Sequence, residues 1–169
     1  MYPRAMETRI DEAEGAADIE VARGLIEEYA RSLPFSLDFQ NFAAELAGLP
    51  APYVAPGGCL LLAWQGEAAV GPAVGIVALK PLAPGVGEVK RLYVVPAARG
   101  TGLGRVLLEC AIDMACYRGY TQLRLDSHRA SMGAAIRLYQ RLGFVEIPAY
   151  VPDLGGELAF FEKVLSGGG

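Results

Sequence analysis

Residues 88–104, Glu-Val-Lys-Arg-Leu-Tyr-Val-Val-Pro-Ala-Ala-Arg-Gly-Thr-Gly-Leu-Gly, have the residue types and spacing best suited to holding an anion. An apolar strand is expected to end at Pro96. A short loop then leads through Arg99-Gly100-Thr101-Gly102-Leu103-Gly104 into an amphipathic helix. Glycines at such a junction let the backbone approach a ligand closely, because no Cβ intervenes. The first amides of the helix lack intrahelical acceptors and sit at the positive end of its dipole. The chemistry predicted is a phosphate cradle.

Two common phosphate-binding patterns do not fit. A Walker-type loop needs Gly-x-x-x-x-Gly-Lys-Ser/Thr, and the chain contains no Gly-Lys pair. A dinucleotide fingerprint reads Gly-x-Gly-x-x-Gly, whereas Gly100, Gly102 and Gly104 are spaced two and two. The pattern that fits is Arg-x-x-Gly-x-Gly, in Arg99, Gly102 and Gly104. With Leu92-Tyr93-Val94 and Pro96 before it, this stretch resembles the acetyl-CoA loop of the GNAT superfamily of N-acetyltransferases. Ala135-Ile136-Arg137-Leu138-Tyr139-Gln140-Arg141-Leu142-Gly143-Phe144 resembles the second recurring segment of that superfamily, Ala-x-x-Leu-Tyr-x-x-x-Gly-Phe. One helix and one strand separate the two segments, as in the family. One position departs from it. Members often carry an asparagine seven residues before the tyrosine, and here that position is Met132, so its polar contact is expected to be missing or supplied otherwise, by Ser131 or Ser127.

The resemblance implies acetyl-CoA as cosubstrate and direct transfer of acetyl to a primary amine of a small molecule or peptide, without an acyl-enzyme. The amides of Gly100, Thr101, Gly102, Leu103, Gly104 and Arg105 would take the pyrophosphate, with Arg99 or Arg105 adding charge-assisted contacts. The backbone of Leu92, Tyr93 and Val94 would hold the pantetheine arm like an added strand and polarise the thioester carbonyl. A donor aimed that way is commonly worth about 3–4 kcal/mol. An ammonium with a pKa of about 10 is neutral in only about one molecule per thousand at pH 7, a penalty of about 4 kcal/mol. Glu88, eleven residues before Arg99, stands where members that use a strand glutamate place their base. A surface residue at a strand start explains it equally, and many relatives need no dedicated base. By period two it is expected to share a face with Lys90, Leu92 and Val94. Tyr139 matches the family tyrosine by position and, protonated at neutral pH, would donate a proton to the leaving thiolate. Its ring would also pack in any fold, and both uses are compatible. A non-catalytic acyl-CoA-binding module and a transferase for longer acyl chains stay open as alternatives. A homodimer is common among similar proteins.

These residues need a scaffold, and the periodicities supply one. Thr8–Glu14 reads as a first strand, and Asp18–Ser32 repeats apolar residues at helical spacing until Pro34. Asn41–Leu49 reads as a shorter helix, followed by a loop through Pro50, Pro52, Pro56 and Gly57-Gly58. Strands are expected at Cys59–Gln65, from there through a Gly66-Glu67 turn to Leu79 with a break at Gly71-Pro72, and at Glu88–Val95. Pro81–Gly87 reads as loop. The helix after the glycine loop presents Leu103, Val106, Leu107, Cys110, Ala111 and Met114 as one stripe and stops at Gly119. Thr121–Ser127, Phe144–Ile147 and Glu157–Val164 read as strands, and Ser131–Leu142 as a helix whose Met132, Ala135, Ile136 and Tyr139 share a face. The order predicts one α/β domain over residues 8–165, a central mixed sheet with helices on both faces, and a frayed tail at 166–169. That order is similar to the GNAT-like acyl-CoA N-acyltransferase fold.

Composition narrows the class. With 169 residues, 53% of them hydrophobic, the chain is expected to fold as one well-cored domain burying roughly 70% of its unfolded surface. No apolar run approaches the roughly 20 residues of a membrane span, and the first residues lack a signal-peptide core, which points to the cytoplasm. A net charge of −4 argues against general nucleic-acid binding. Cys59, Cys110 and Cys116 lack metal-type spacing and read as buried free thiols. His128, the sole histidine, lies past a strand end beside Asp126 and Ser127, where a solvated or capping role competes with a catalytic one. Acceptor-pocket walls are expected from residues 30–55 and 147–156, with Phe35, Asp38, Phe39, Phe42, Tyr53, Tyr150 and Asp153 among them. Rings and carboxylates of that kind suit a cationic amine, though core and rim positions explain them equally.

Overall fold

Cys59–Ala63 and Val74–Leu79 are apolar at both parities, and a strand of that kind is covered on both faces. The computed structural model, which describes residues 7–38, 41–66, 71–153 and 155–166, shows that arrangement. Its elements are β1 (Thr8–Glu12), α1 (Gly15–Ser32), α2 (Phe42–Gly48), β2 (Cys59–Gln65), β3 (Ala73–Ala83) and β4 (Val86–Val94), then a 3-10 turn at Pro96–Ala98. There follow α3 (Leu103–Tyr117), β5 (Gln122–His128), α4 (Gly133–Arg141), β6 (Val145–Ile147) and β7 (Leu158–Val164). The strands form one mixed sheet in the order β1-β2-β3-β4-β5-β7-β6, with β4–β5 as its parallel pair. Leu61, Val77, Leu79, Leu123, Leu125 and Phe161 meet α3 and Tyr139 of α4 on one face. Leu60, Leu62, Ile76 and Ala78, one residue out of phase, meet Ala22, Leu25 and Ile26 of α1 on the other. Among the described residues no helix is long and apolar enough to cross a membrane.

Three expectations change. The predicted loop at Pro81–Gly87 is mostly strand: β3 continues to Ala83, and Pro84-Gly85 turns directly into β4. Pro84 presets the first turn position, and Gly85, at φ 75°, takes the left-handed second one. The α3 stripe is rotated: Leu103, Leu107, Leu108, Ala111 and Ala115 are buried, while Val106 is 45% exposed. A sheet is broader than a helix, so it covers Leu108 and leaves Val106 at the flank. Of the three thiols only Cys59 is buried; Cys110 is half-buried and Cys116 exposed. The predicted turn residue Glu67, the wall residue Phe39 and most of the tail lie outside the described residues.

The feature that makes a site is a failed ladder. β4 and β5 pair only at Val86↔Gln122, Gly87↔Leu123 and Glu88↔Arg124. Beyond Glu88 each strand continues without the other. On its other side β4 pairs Lys90 with Ala78 and Tyr93 with Ile76, so two β4 residues, Arg91 and Leu92, oppose one of β3. This is a β-bulge, with Arg91 at φ 57°. A bulge bends its strand and increases the local twist, which turns β4 away from β5.

Burial pushes the phenols of Tyr29, Tyr53, Tyr139 and Tyr150 above their usual value. The folded chain then holds those protons more tightly than the unfolded chain, whose tyrosines titrate at about pH 10. Their contribution is complete below that value and is lost as pH rises above it. Thermal melts should therefore show Tm falling steeply above about pH 10. Tyr53→Phe should fall less steeply, and an equally steep fall would mean that this phenol is not a titrating group.

Candidate active site

The predicted phosphate cradle forms where the chain enters α3. Gly100 and Gly102 take φ values of 77° and 84°, and Gly102 is the N-cap residue with no side-chain cap. Thr101 Oγ1 donates to the Ala98 carbonyl at 2.7 Å and Arg99 N–H to the Pro96 carbonyl at 3.2 Å, which stiffens the approach. The first bond closing the helix runs from Val106 N–H to the Gly102 carbonyl at 3.2 Å. The preceding helical amides, Leu103, Gly104 and Arg105, come before any i→i−4 acceptor. At Gly104 an added Cβ would meet only Val94 Cγ2 at 3.8 Å and Leu138 Cδ2 at 4.0 Å, both ordinary contacts. The fold therefore does not require glycine there, although glycine in a helix costs roughly 1 kcal/mol relative to alanine. A ligand lying against the backbone does require it. Bare amides, a helix N-terminus and an unneeded glycine fit a diphosphate.

Neither predicted arginine points into the cradle. Arg99 Nε donates to the Val94 carbonyl at 3.1 Å, with its guanidinium 5.7 Å from the Tyr93 ring centre. Arg105 pairs with Glu109 one turn along the helix surface, at 2.8 Å. Leu92, Tyr93 and Val94 lie where expected, on the part of β4 that has parted from β5. Among the described residues no strand pairs with their β5-facing backbone, and apart from the Val94 carbonyl, which accepts from Arg99, those groups can receive an extended chain.

The bulge also corrects the predicted face of Glu88. Period two fails across Arg91-Leu92, so Leu92 and Val94 join Val89 on the α3 face. Glu88 and Lys90 lie on the opposite face with Arg91 and Tyr93. Nor is Glu88 a solvated residue, since it is only 3% exposed. Tyr150 Oη donates to its Oε2 at 2.7 Å, while Lys80 and Lys90 lie 3.4 and 3.8 Å from its Oε1. The Cα register Lys80↔Glu88↔Arg124↔Glu162 makes a row of alternating charge across four strands. Arg124 and Glu162 close its far end at 2.7 Å. Lys90 reaches across the parting to Asp126 at 3.4 Å.

Tyr139 occupies the other wall. It is 4% exposed, with the rings of Phe144 and Phe161 centred 6.1 and 6.0 Å away. Burial, then the neighbouring Tyr29, pushes its pKa up, while a hydrogen bond with Ser127 opposes the rise. Met132, Ala135 and Ile136, predicted to share its buried face, are only partly covered. Ser127 also donates to Met132 Sδ at 3.4 Å, beside the position where the family often has asparagine. Ser131 instead turns to His128 Nδ1 at 2.6 Å, and the His128 ring stacks on Phe35 with centres 4.4 Å apart.

Tyr139, Tyr29, Ser127, Met132 and Asp126 line a narrow cleft in the β4–β5 parting. Lys90, Arg91, Asp126 and Leu158 are shared with a second cavity of about 400 Å³ beneath α2 and the β6–β7 loop. Of the predicted wall residues, Phe42 stacks under Arg91 at 5.5 Å and Tyr53 Oη donates to Glu45. Asp153 accepts from Leu158 N–H at 3.4 Å, and Tyr150 is the donor to Glu88. Sequence reasoning did not single out Lys80, Lys90 or Asp126. A charged residue inside an otherwise apolar strand was the available signal.

Residues 56–146 match the Acetyltransferase (GNAT) domain family. The chain is 36% identical over 134 residues to an uncharacterized N-acetyltransferase of Schizosaccharomyces pombe, covering 79% of this chain and 80% of that one. It is similar to a protein of Klebsiella pneumoniae assigned as an acyl-CoA N-acyltransferase, with 29% identity, 96% and 100% of the two chains covered, and a TM-score of 0.71. A Salmonella typhimurium protein solved with its cofactor acetyl-CoA shares the fold at 22% identity, 95% coverage of each chain and a TM-score of 0.67. The family match and the Schizosaccharomyces pombe relative show that the chain belongs to the GNAT family of acetyltransferases, which use acetyl-CoA as acyl donor.

Proposed function

We propose that one domain over residues 8–165 binds acetyl-CoA along the β4–β5 parting and transfers acetyl directly to a primary amine of a small molecule or peptide. The parting carries this reading. There an edge of β4 without a partner strand borders the cleft lined by Tyr139, which shares Lys90, Arg91, Asp126 and Leu158 with the cavity lined by Glu88. Acetyl-CoA supplies an activated acyl group with a thiolate leaving group. The amides of residues 100–105 hold the diphosphate, and the free edge of Leu92–Val94 orients the arm and its carbonyl. From the α2 face Glu88 accepts a proton from the incoming ammonium, directly or through water. From the α4 face Tyr139, kept protonated by burial, supplies a proton to the departing sulfur. Free thiols suit a reducing, cytoplasmic setting.

An amine panel with acetyl-CoA and thiol-release detection tests the reading. Tight cofactor binding without thiol release on any amine would make the protein a binding module instead. Tyr139→Phe should lower kcat by about 100-fold while CoA affinity stays within about twofold. Collapse of affinity with unchanged turnover would assign Tyr139 to packing. Glu88→Gln should depress kcat/KM most at low pH, where the acceptor is an ammonium, and converge on the parent near the amine's pKa of about 10. An unaltered pH profile would remove Glu88 as the base. Gly104→Ala should stabilise the fold by roughly 0.5–1 kcal/mol and weaken CoA binding at least about tenfold. Calorimetry reads both quantities, and unchanged CoA affinity would place the diphosphate elsewhere.

A further inference from the structure

The cavity beneath α2 is charged on several sides, and its charges are ordered. Glu88 and Asp126 share Lys90, at 3.8 and 3.4 Å, in one cluster of two carboxylates and a cation. It lies at the β4–β5 parting, where the acyl group would arrive. On the α2 flank Arg91 is matched by Glu45 at 2.9 Å, and Tyr53 also donates to Glu45. On the β3 flank Lys80 stands 3.4 Å from Glu88, with its side chain 29% exposed at the rim. Lys80 has three donors, and its single close carboxylate leaves capacity for a second. Formal charge therefore cancels across the lining, with the Glu88 and Asp126 carboxylates at the parting and the Lys80 ammonium at the β3 rim.

Ionised groups facing a cavity favour a ligand that pairs with both signs over one that strips their water without pairing. A polyamine would bring several cations against Lys80, Lys90 and Arg91. An amine with an apolar tail would satisfy the negative end and leave Lys80 facing hydrocarbon. Resting on the acetyltransferase reading above, we propose that the acceptor is an amino-acid-type zwitterion, a primary ammonium with a free carboxylate on the adjacent carbon. The ammonium faces Glu88 and Asp126, and the carboxylate faces Lys80. Leu82, Val151, Pro152 and Leu158 line the remaining wall and receive the side chain. The step balances as ammonium plus thioester giving amide, free thiol and one released proton. The nitrogen–acyl bond forms as the carbon–sulfur bond breaks.

The test measures kcat/KM with acetyl-CoA for several amino acids, each beside its α-carboxamide and its decarboxylated amine, with spermidine as the polyamine. The free acid should exceed its two analogues by at least about tenfold, chiefly through KM. Lys80→Met should bring that ratio toward one. Equal rates across a matched set, or preference for the carboxamide or spermidine, would overturn the proposal while leaving acetyl transfer established. A preferred carboxamide would point to a peptide N-terminus. A ratio unmoved by Lys80→Met would remove the carboxylate from the β3 flank and overturn the proposal too. No transfer to any amine would overturn the acetyltransferase reading, and this inference with it.

Discussion

The structure depends on the separation of β4 from β5 after only three residue pairs. A parallel ladder that stops leaves backbone donors and acceptors exposed along two facing edges, and such groups are costly unless water or a ligand satisfies them. The bulge at Arg91-Leu92 sustains the separation. It places Arg91 at φ 57°, a conformation that non-glycine residues seldom adopt, and the Glu45 carboxylate holds the resulting side chain at 2.9 Å. The same distortion that opens the cleft anchors α2 over it, although α2 has no buried residue of its own.

A continuous sheet would insulate its two faces from each other. Here Tyr139 lines the cleft in the parting from the α4 side and Glu88 lines the cavity beneath α2, and the two spaces share Lys90, Arg91, Asp126 and Leu158. That division suits the opposite proton roles proposed for them. Tyr139 sits among rings, where burial favours the neutral phenol. Glu88 sits in a cross-strand row of alternating charge, with Lys80 and Tyr150 as partners. Two environments within one small domain can thus hold a proton donor and a proton acceptor apart.

Met132 shows how a departure from the family pattern is absorbed locally. Thioether sulfur is a weak acceptor, so it cannot replace an amide that both donates and accepts. Ser127, on β5 close beside it, donates to the Met132 sulfur at 3.4 Å, and its hydroxyl opposes the rise of the Tyr139 pKa. His128 and Ser131 pair with each other instead, at the outer end of the cleft.

Local signals were enough to read the cradle, the helices and most strands. Gly100, Gly102 and Gly104 carry their meaning in their own backbone freedom, and the apolar runs of β2 and β3 state their burial without reference to partners. The spacing of Ala135, Leu138, Tyr139, Gly143 and Phe144 likewise located the candidate phenol. Phase and partnership needed the tertiary structure. The bulge moved Leu92 and Val94 to the face opposite Glu88, because one extra residue reverses a period of two. The breadth of the sheet rotated the buried stripe of α3 from Val106 to Leu108. Lys90 follows Glu88 by two residues on β4, but Lys80, Asp126 and Tyr150 come from three other segments, so their gathering around that pair follows from tertiary structure and is written in no local spacing.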